Sequence, residues 1–393
     1  MERAVITGIG LITCVGKGKE IFWKSIMEGK SSISEVTLFD TSKYRNRLGG
    51  EIKGIDPEIQ DRAWYLLSSA AKEAVSDAGI ELKEVKEGRV QIIVGTAHGE
   101  LIMWGNYYDA LRENDEVKAE ELCHYFSPWT LSKRLSQDFG IKSLTITTST
   151  ACTASTIALG LALNKIRRRE ADVVIVGGVD VLSEFIFAGF DSLRALTLSV
   201  CKPFDKKRDG LILGEGSGVL IIEGISHALK RNAKVYAELA GFGTYSDAVH
   251  LTAPDRRGRG ATLSLSAALK DAQVKPEDIS YINAHGTGTI YNDRMECVAI
   301  KKIFEEYAYK IPISSIKPVI GHTSGASGVI EAALCALCIQ DNVVPPTINF
   351  EEPMLDFEFD FVPGKYRETL VTITASMNSA FGGSNACVVL KEL

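Results

Sequence analysis

The chain of 393 residues is 45% hydrophobic and 24% charged. These are globular values that exclude a disordered chain and allow a packed core without metal or disulfide staples. Its net charge of −6 argues against a general nucleic-acid binder, which needs a basic footprint. No apolar run reaches the roughly 18 residues of a transmembrane helix, and MERAVITGIGLITCVG lacks the pattern of a secretory leader, so a cytoplasmic protein without membrane contact is expected.

In chain order, AVITGIG, RVQIIVGT, LTITTST and DVVIVGG are β-rich runs of the kind buried in parallel sheets. Between them, AWYLLSSAAKEAVSDAG and TASTIALGLALNKIRRR carry helical spacing, so an α/β layered fold is predicted. The order then repeats. LTITTST leads into the small-residue helix ACTASTIALGLALNKI, then the strand DVVIVGG, then the glycine turn and strand GEGSGVLIIEG. In the second half IPISSIKPVIGH leads into TSGASGVIEAALCALCIQ, then LVTITASM, then FGGSNACVVLKEL, and RAVITGIG and VYAELAGFG open the two halves alike. Two copies of one unit, residues 1–233 and 234–393, explain this order. Small residues at the heads of both repeated helices would let them pack closely at the centre of five layers. The acidic stretch from Glu113 to Glu121 reads as a solvated surface element.

The cysteines, eight in number, are scattered, which suits buried thiols rather than a disulfide framework. Cys335 and Cys338 form a CxxC inside an apolar helical stretch with no second ligand pair, so core cysteines are expected.

Cys152 stands apart from the other thiols. It follows a β-run and heads a helix in TSTACTAS, where unpaired N–H groups and the dipole favour a thiolate and an oxyanion. His285 ends a β-run in YINAHGTGT, and His322 sits in VIGHTSGAS before the second small-residue helix. Both positions suit a histidine that points into a pocket. Two neutral imidazoles can donate from Nε2 to one thioester oxygen and stabilise an enolate as carbon dioxide leaves. With no third ligand beside them, a metal is not expected.

Cys152 in TACTAS, His285 in NAHGTGT, and Lys317 with His322 in SSIKPVIGHTSGASG resemble the signature of the β-ketoacyl-[acyl carrier protein] synthases, over nearly the whole chain. The resemblance implies the thiolase fold in a five-layer αβαβα arrangement, a homodimer, and ping-pong decarboxylative condensation. An acyl group on Cys152 would meet malonyl thioester brought by an acyl carrier protein. No cofactor is implied beyond the phosphopantetheine arm of that carrier. It further implies that Lys317 holds His322 and the local network, that Asp293 and Glu296 form an acidic pair with Glu296 the partner of Lys317, and that Thr287 and Thr289 bond the pantetheine arm. Phe381 would gate the site and share an oxyanion hole with the Cys152 N–H, and His98 and Phe190 would line the acyl pocket.

The chain departs from the family pattern at four places. Ile290 stands where proline usually follows HGTGT, and Ser379 and Ala380 replace a phenylalanine and a glycine of the closing motif, which narrows the freedom of the gate. His98 brings a polar group to the acyl tunnel. The loop from Ile55 to Trp64 offers only Arg62 as a base for carrier docking, leaving Lys206, Lys207 and Arg208. These changes point to a specialised lipid or polyketide pathway. The competing readings are a non-catalytic chain-length-determining subunit, which typically lacks the cysteine, and a degradative thiolase, which needs a second cysteine where Cys387 instead lies within the last strand.

Overall fold

The computed structural model describes residues 1–56, 59 and 61–393. Ten strands form one path: β1 Ala4–Thr13, β2 Val90–Gly95, β3 Leu144–Thr148, β4 Val173–Asp180, β5 Gly216–Gly224, β6 Ala237–Ser246, β7 Tyr281–Asn283, β8 Ile313–Ser314, β9 Ile373–Ser379 and β10 Ser384–Lys391. Their order is β8-β7-β9-β10-β6-β1-β5-β4-β2-β3, with the two-residue strand Gly16–Lys17 beside β1.

The order contains the same pattern twice. In the first half β2 pairs in parallel with β3 and β4, while β5 runs antiparallel between β4 and β1. In the second, β7 pairs in parallel with β8 and β9, while β10 runs antiparallel between β9 and β6. The halves join where Ala4–Ile6 of β1 meets Ala237–Leu239 of β6.

The five longest helices of the described residues build on this sheet: α1 Arg62–Ala78, α2 Ala154–Arg167, α3 Arg259–Ala272, α4 Ile290–Phe304 and α5 Ser327–Asp341. Helix α1 covers β1, β5 and β4, and α3, backed by α4, covers β6 and β10. Between the two half-sheets lie α2 and α5, each touching both and one another. Position in the layers explains composition. Helix α1 is amphipathic, burying Leu66, Leu67, Ala70, Ala71 and Ala74 on one face, with Asp61 accepting from Trp64 N at 3.2 Å as its cap. Helix α5 is buried from Ser327 to Ile339, as a helix enclosed on all sides must be. Cys335 and Cys338 are therefore core residues. The surface helix Glu116–Cys123 buries only Ala119 and Leu122.

Candidate active site

Cys152 sits in a tight turn, Ala151–Thr153, between the end of β3 and α2. Ala151 has φ of +50°, a left-handed conformation that a non-glycine residue adopts at a cost of about 1–3 kcal/mol when its surroundings enforce it. The turn is held by Thr153 Oγ1 donating to Thr150 O at 2.8 Å. At Gly95, the end of β2, a Cβ would lie 2.4 Å from Ser155 N, so glycine there lets the strand and α2 touch.

His322 follows Gly321, whose φ is +77°, and its main chain is fixed on both sides. Its N–H donates to Ile212 O at 2.7 Å, and its carbonyl accepts from Gly214 N at 3.0 Å. Its Nε2 stands 3.0 Å from Cys152 Sγ, and its Nδ1 3.2 Å from Ser327 Oγ. His285 follows β7, and its ring lies edge-on to that of His322 with centroids 5.1 Å apart. The structure thus brings together three side chains that are far apart in sequence.

The acidic pair works differently from expectation. Glu296 does not meet Lys317. Its carboxylate accepts from His285 N and Gly286 N, the latter at 2.9 Å, and so clamps the backbone that carries the histidine. Asp293 accepts from Phe204 N at 2.8 Å and from Gly288 N. Lys317 Nζ instead bonds Glu331 Oε1 at 2.6 Å, because α5 carries Glu331 beneath the site. Glu331 and Asn378 escaped the sequence reading, although a lone acid in VIEAALCALCIQ was a signal.

Removal from water decides the charge states. Burial, then the Lys317 charge, lowers His285 and His322 well below the usual histidine range, so both imidazoles are neutral. Burial pushes the Cys152 thiol up to about 12 despite some relief from Lys317. The sulfur borders a cavity and is part-buried. Burial thus favours the thiol and opposes the helix-terminus effect that favours a thiolate.

The cavity beside Cys152 has a volume of about 270 Å³. His285, His322, Thr287, Thr289, Phe190 and Phe381 line it. Thr287 and Thr289 share a hydroxyl contact at 2.9 Å. Phe381 stacks on Phe190 with centroids 5.5 Å apart. Ala380 is extended (φ −137°), and the left-handed positions fall on Gly382 and Gly383, so alanine is unstrained there. Ile290 opens α4 where a proline would also fit. His98 lies outside the lining of this cavity. Its N–H donates to Asp180 at 2.9 Å, and its ring nitrogen Nδ1 is buried without a hydrogen bond.

Two of the expected docking bases, Arg208 and Arg62, need correction. Arg208 is largely buried, donating to Asp205 O at 2.9 Å and Ile290 O at 3.0 Å. Lys206 and Lys207 are paired with Glu352 and Glu351, and Arg62 is buried against Glu215. Pro57, Glu58 and Gln60 of the expected docking loop lie outside the described residues.

Comparison with known proteins decides the family. The models "Beta-ketoacyl synthase, N-terminal domain" and "Beta-ketoacyl synthase, C-terminal domain" match residues 1–228 and 236–351. This chain belongs to the β-ketoacyl synthase family. It is 37% identical to the tetracenomycin polyketide synthase ketoacyl synthase alpha subunit of Streptomyces glaucescens, covering 99% of this chain and 97% of that one. It is also 37% identical to 3-oxoacyl-[acyl-carrier-protein] synthase 2 of Synechocystis sp., over 100% and 98% of the two chains. Among solved structures, the ishigamide ketosynthase/chain length factor superposes with a TM-score of 0.94 at 33% identity, covering 100% of this chain and 99% of that one. The fold is the thiolase fold of the ketosynthases, and no helix of the described residues is long and apolar enough to cross a membrane.

Proposed function

We propose that this ketosynthase is itself catalytic, a 3-oxoacyl-[acyl carrier protein] synthase that condenses an acyl group on Cys152 with malonyl carrier. The supporting observation is the 3.0 Å contact between Cys152 Sγ and His322 Nε2 with His285 beside it. In the first half-reaction the sulfur attacks the carrier thioester and its proton passes to His322 Nε2. The bond to the pantetheine sulfur breaks, and that sulfur takes the proton away. Malonyl carrier then binds. Its carboxylate leaves as carbon dioxide, and the electron pair enters an enolate whose oxygen is held by imidazole N–H groups. The enolate carbon attacks the acyl carbonyl, the bond to Cys152 breaks, and the freed thiolate takes a proton from water through His322. Ser327 suits His322 to both tasks, since a hydroxyl accepts from Nδ1–H or donates to Nδ1 equally well.

On this reading Thr287 and Thr289 bond the pantetheine arm, and the backbone N–H groups of Cys152 and Phe381 form the oxyanion hole. No resident cofactor is required. A second copy would pair along the edge strand β3, beside which Trp129 and Leu144 are each 51% exposed. The buried Arg62 and Arg208 and the 37% identity to a polyketide synthase ketoacyl synthase subunit support a specialised lipid or polyketide pathway. Incubation with acyl carrier protein loaded with an acyl thioester should add acyl mass at Cys152 and free the carrier thiol, and malonyl carrier should then release carbon dioxide and a β-ketoacyl product. A Cys152→Ala protein that still condensed would overturn the mechanism. Absence of acyl mass on the intact chain would favour a chain-length-determining subunit.

A further inference from the structure

The neutral His285 can hold its proton on either ring nitrogen, and only Nε2–H serves an enolate oxygen in the cavity. What faces Nδ1 therefore decides whether the histidine is competent. Asn378 Nδ2 lies 3.4 Å from His285 Nδ1. The same amide nitrogen lies 2.6 Å from Glu331 Oε2, whose other oxygen holds Lys317 Nζ at 2.6 Å. The amide oxygen accepts from Thr156 Oγ1 at 2.5 Å.

This network admits one orientation. A primary amide has two N–H donors and one carbonyl acceptor. Turning Asn378 over would set its oxygen against Glu331 Oε2 and its N–H groups against the Thr156 hydroxyl; burial raises the Glu331 pKa, and the Lys317 ammonium on its other oxygen opposes that rise. With the amide nitrogen facing Glu331, its second N–H points at His285 Nδ1. That nitrogen must then be the bare one, leaving the proton on Nε2. Asn378 touches neither the sulfur nor, in this arrangement, the cavity.

We propose that Asn378 is a positioning residue that fixes the His285 proton on Nε2, relaying the Lys317 charge through Glu331. The inference rests on the ketosynthase reading for its consequence, but the tautomer it assigns can be measured without turnover. Lys317 then serves the site without reaching either imidazole, and the chain Lys317, Glu331, Asn378, His285 crosses from the head of α5 to β9 and β7.

The test uses full-length protein labelled with ¹⁵N-histidine, with His285 assigned by its loss in His285→Phe. In the parent protein His285 should show a bare Nδ1 and a protonated Nε2. In Asn378→Leu, which keeps the bulk and removes the donors, the two tautomers should mix. Release of carbon dioxide from malonyl carrier should fall about 10- to 100-fold, less than the roughly 10²- to 10³-fold lost when an oxyanion-hole donor is removed outright. Acylation of Cys152, which uses His322, should fall far less. Thr156→Val, which frees only the amide oxygen, should give a smaller shift in the same direction and covers the case where Asn378→Leu does not fold. A parent His285 protonated on Nδ1, an unchanged tautomer in both variants, or an equal fall in both half-reactions would overturn the proposal. If the parent protein shows the predicted tautomer yet neither acylates nor decarboxylates, the ketosynthase reading fails while the assignment of Asn378 stands.

Discussion

The substitution Gly328→Ala tests whether the two central helices hold the catalytic geometry. A Cβ at position 328 of α5 would lie 2.1 Å from Thr156 Oγ1 and 2.6 Å from Thr156 N on α2. The hydroxyl can rotate away, but the main-chain nitrogen cannot. Restoring an ordinary contact requires the helices to part by about 1 Å, and overpacking of this kind costs about 1–3 kcal/mol. The cost is paired with a functional one. Cys152 leads directly into α2 and His322 stands just before α5, so the same displacement stretches the 3.0 Å contact between Sγ and Nε2. A misplacement of about 1 Å costs up to 10²-fold in rate. Urea unfolding should therefore show a loss in this range, and the rate of Cys152 acylation, followed by intact mass, should fall at least tenfold in protein that remains folded. A variant as stable and as fast as the parent would refute the idea that the helix contact sets the site.

Other consequences follow from the buried charges. Glu331→Gln leaves Lys317 buried without a counter-charge and should cost about 3–5 kcal/mol, whereas Lys317→Met with Glu331→Leu should cost markedly less; denaturant titration of the three proteins separates these outcomes. The histidines give a pH dependence of defined sign. Their folded pKa values lie well below 6.5, so their contribution is complete above about pH 6.5. It declines as acid protonates the unfolded chain first, by about 1.4 kcal/mol per pH unit for each histidine. Glu296, pushed up to about 8 by burial, slopes the opposite way, its contribution fading as pH rises from about 4.5 to 8. Comparing His285→Phe with the parent from about pH 5 to 8 cancels the Glu296 effect. The difference should shrink steadily below about pH 6.5, and a difference constant with pH would contradict the buried neutral imidazole.

The parts legible in the sequence were those set by backbone pattern. The duplication, the strand-to-helix turn at Cys152 and the glycine-flanked histidines all depend on neighbours along the chain. What the sequence hid depended on partners across it. Lys317 stands 14 residues from Glu331 but 21 from Glu296, and pattern alone gave no means of choosing the acid that faces it. Arg208 follows two surface lysines and reads as one more docking charge, yet it folds inward to cap carbonyls at the start of α4. The thiolate favoured at Cys152 by its helix-terminus position meets an opposing effect for a related reason. A dipole at a helix terminus is a local property, whereas desolvation is set by everything packed around the sulfur.

The duplication also explains why the chemistry is lopsided. The turn Ala151–Thr153 before α2 has a counterpart in Ser324–Ala326 before α5, and each opens on a left-handed non-glycine residue, Ala151 at φ +50° and Ser324 at φ +49°. At the position equivalent to Cys152 stands Gly325, where a Cβ would lie 2.5 Å from Ala97 N and 2.7 Å from Asp180 Oδ2. Its N–H donates to that carboxylate. The second strand of each half leads into the same tripeptide, Ala97-His98-Gly99 and Ala284-His285-Gly286. The fourth strand supplies what each histidine faces. Asp180 stands 3.5 Å from His98 Nδ1, and Asn378 stands 3.4 Å from His285 Nδ1. One copy of the repeated arrangement thus has the position equivalent to Cys152 closed by a carboxylate that ties the halves together. The other places an amide where that carboxylate would be, and an amide can donate to the imidazole without adding a charge that would draw a proton onto it. Of the two equivalent pockets, one is filled by its own supporting hydrogen bonds, and the other holds Cys152 beside the histidines of the opposite half.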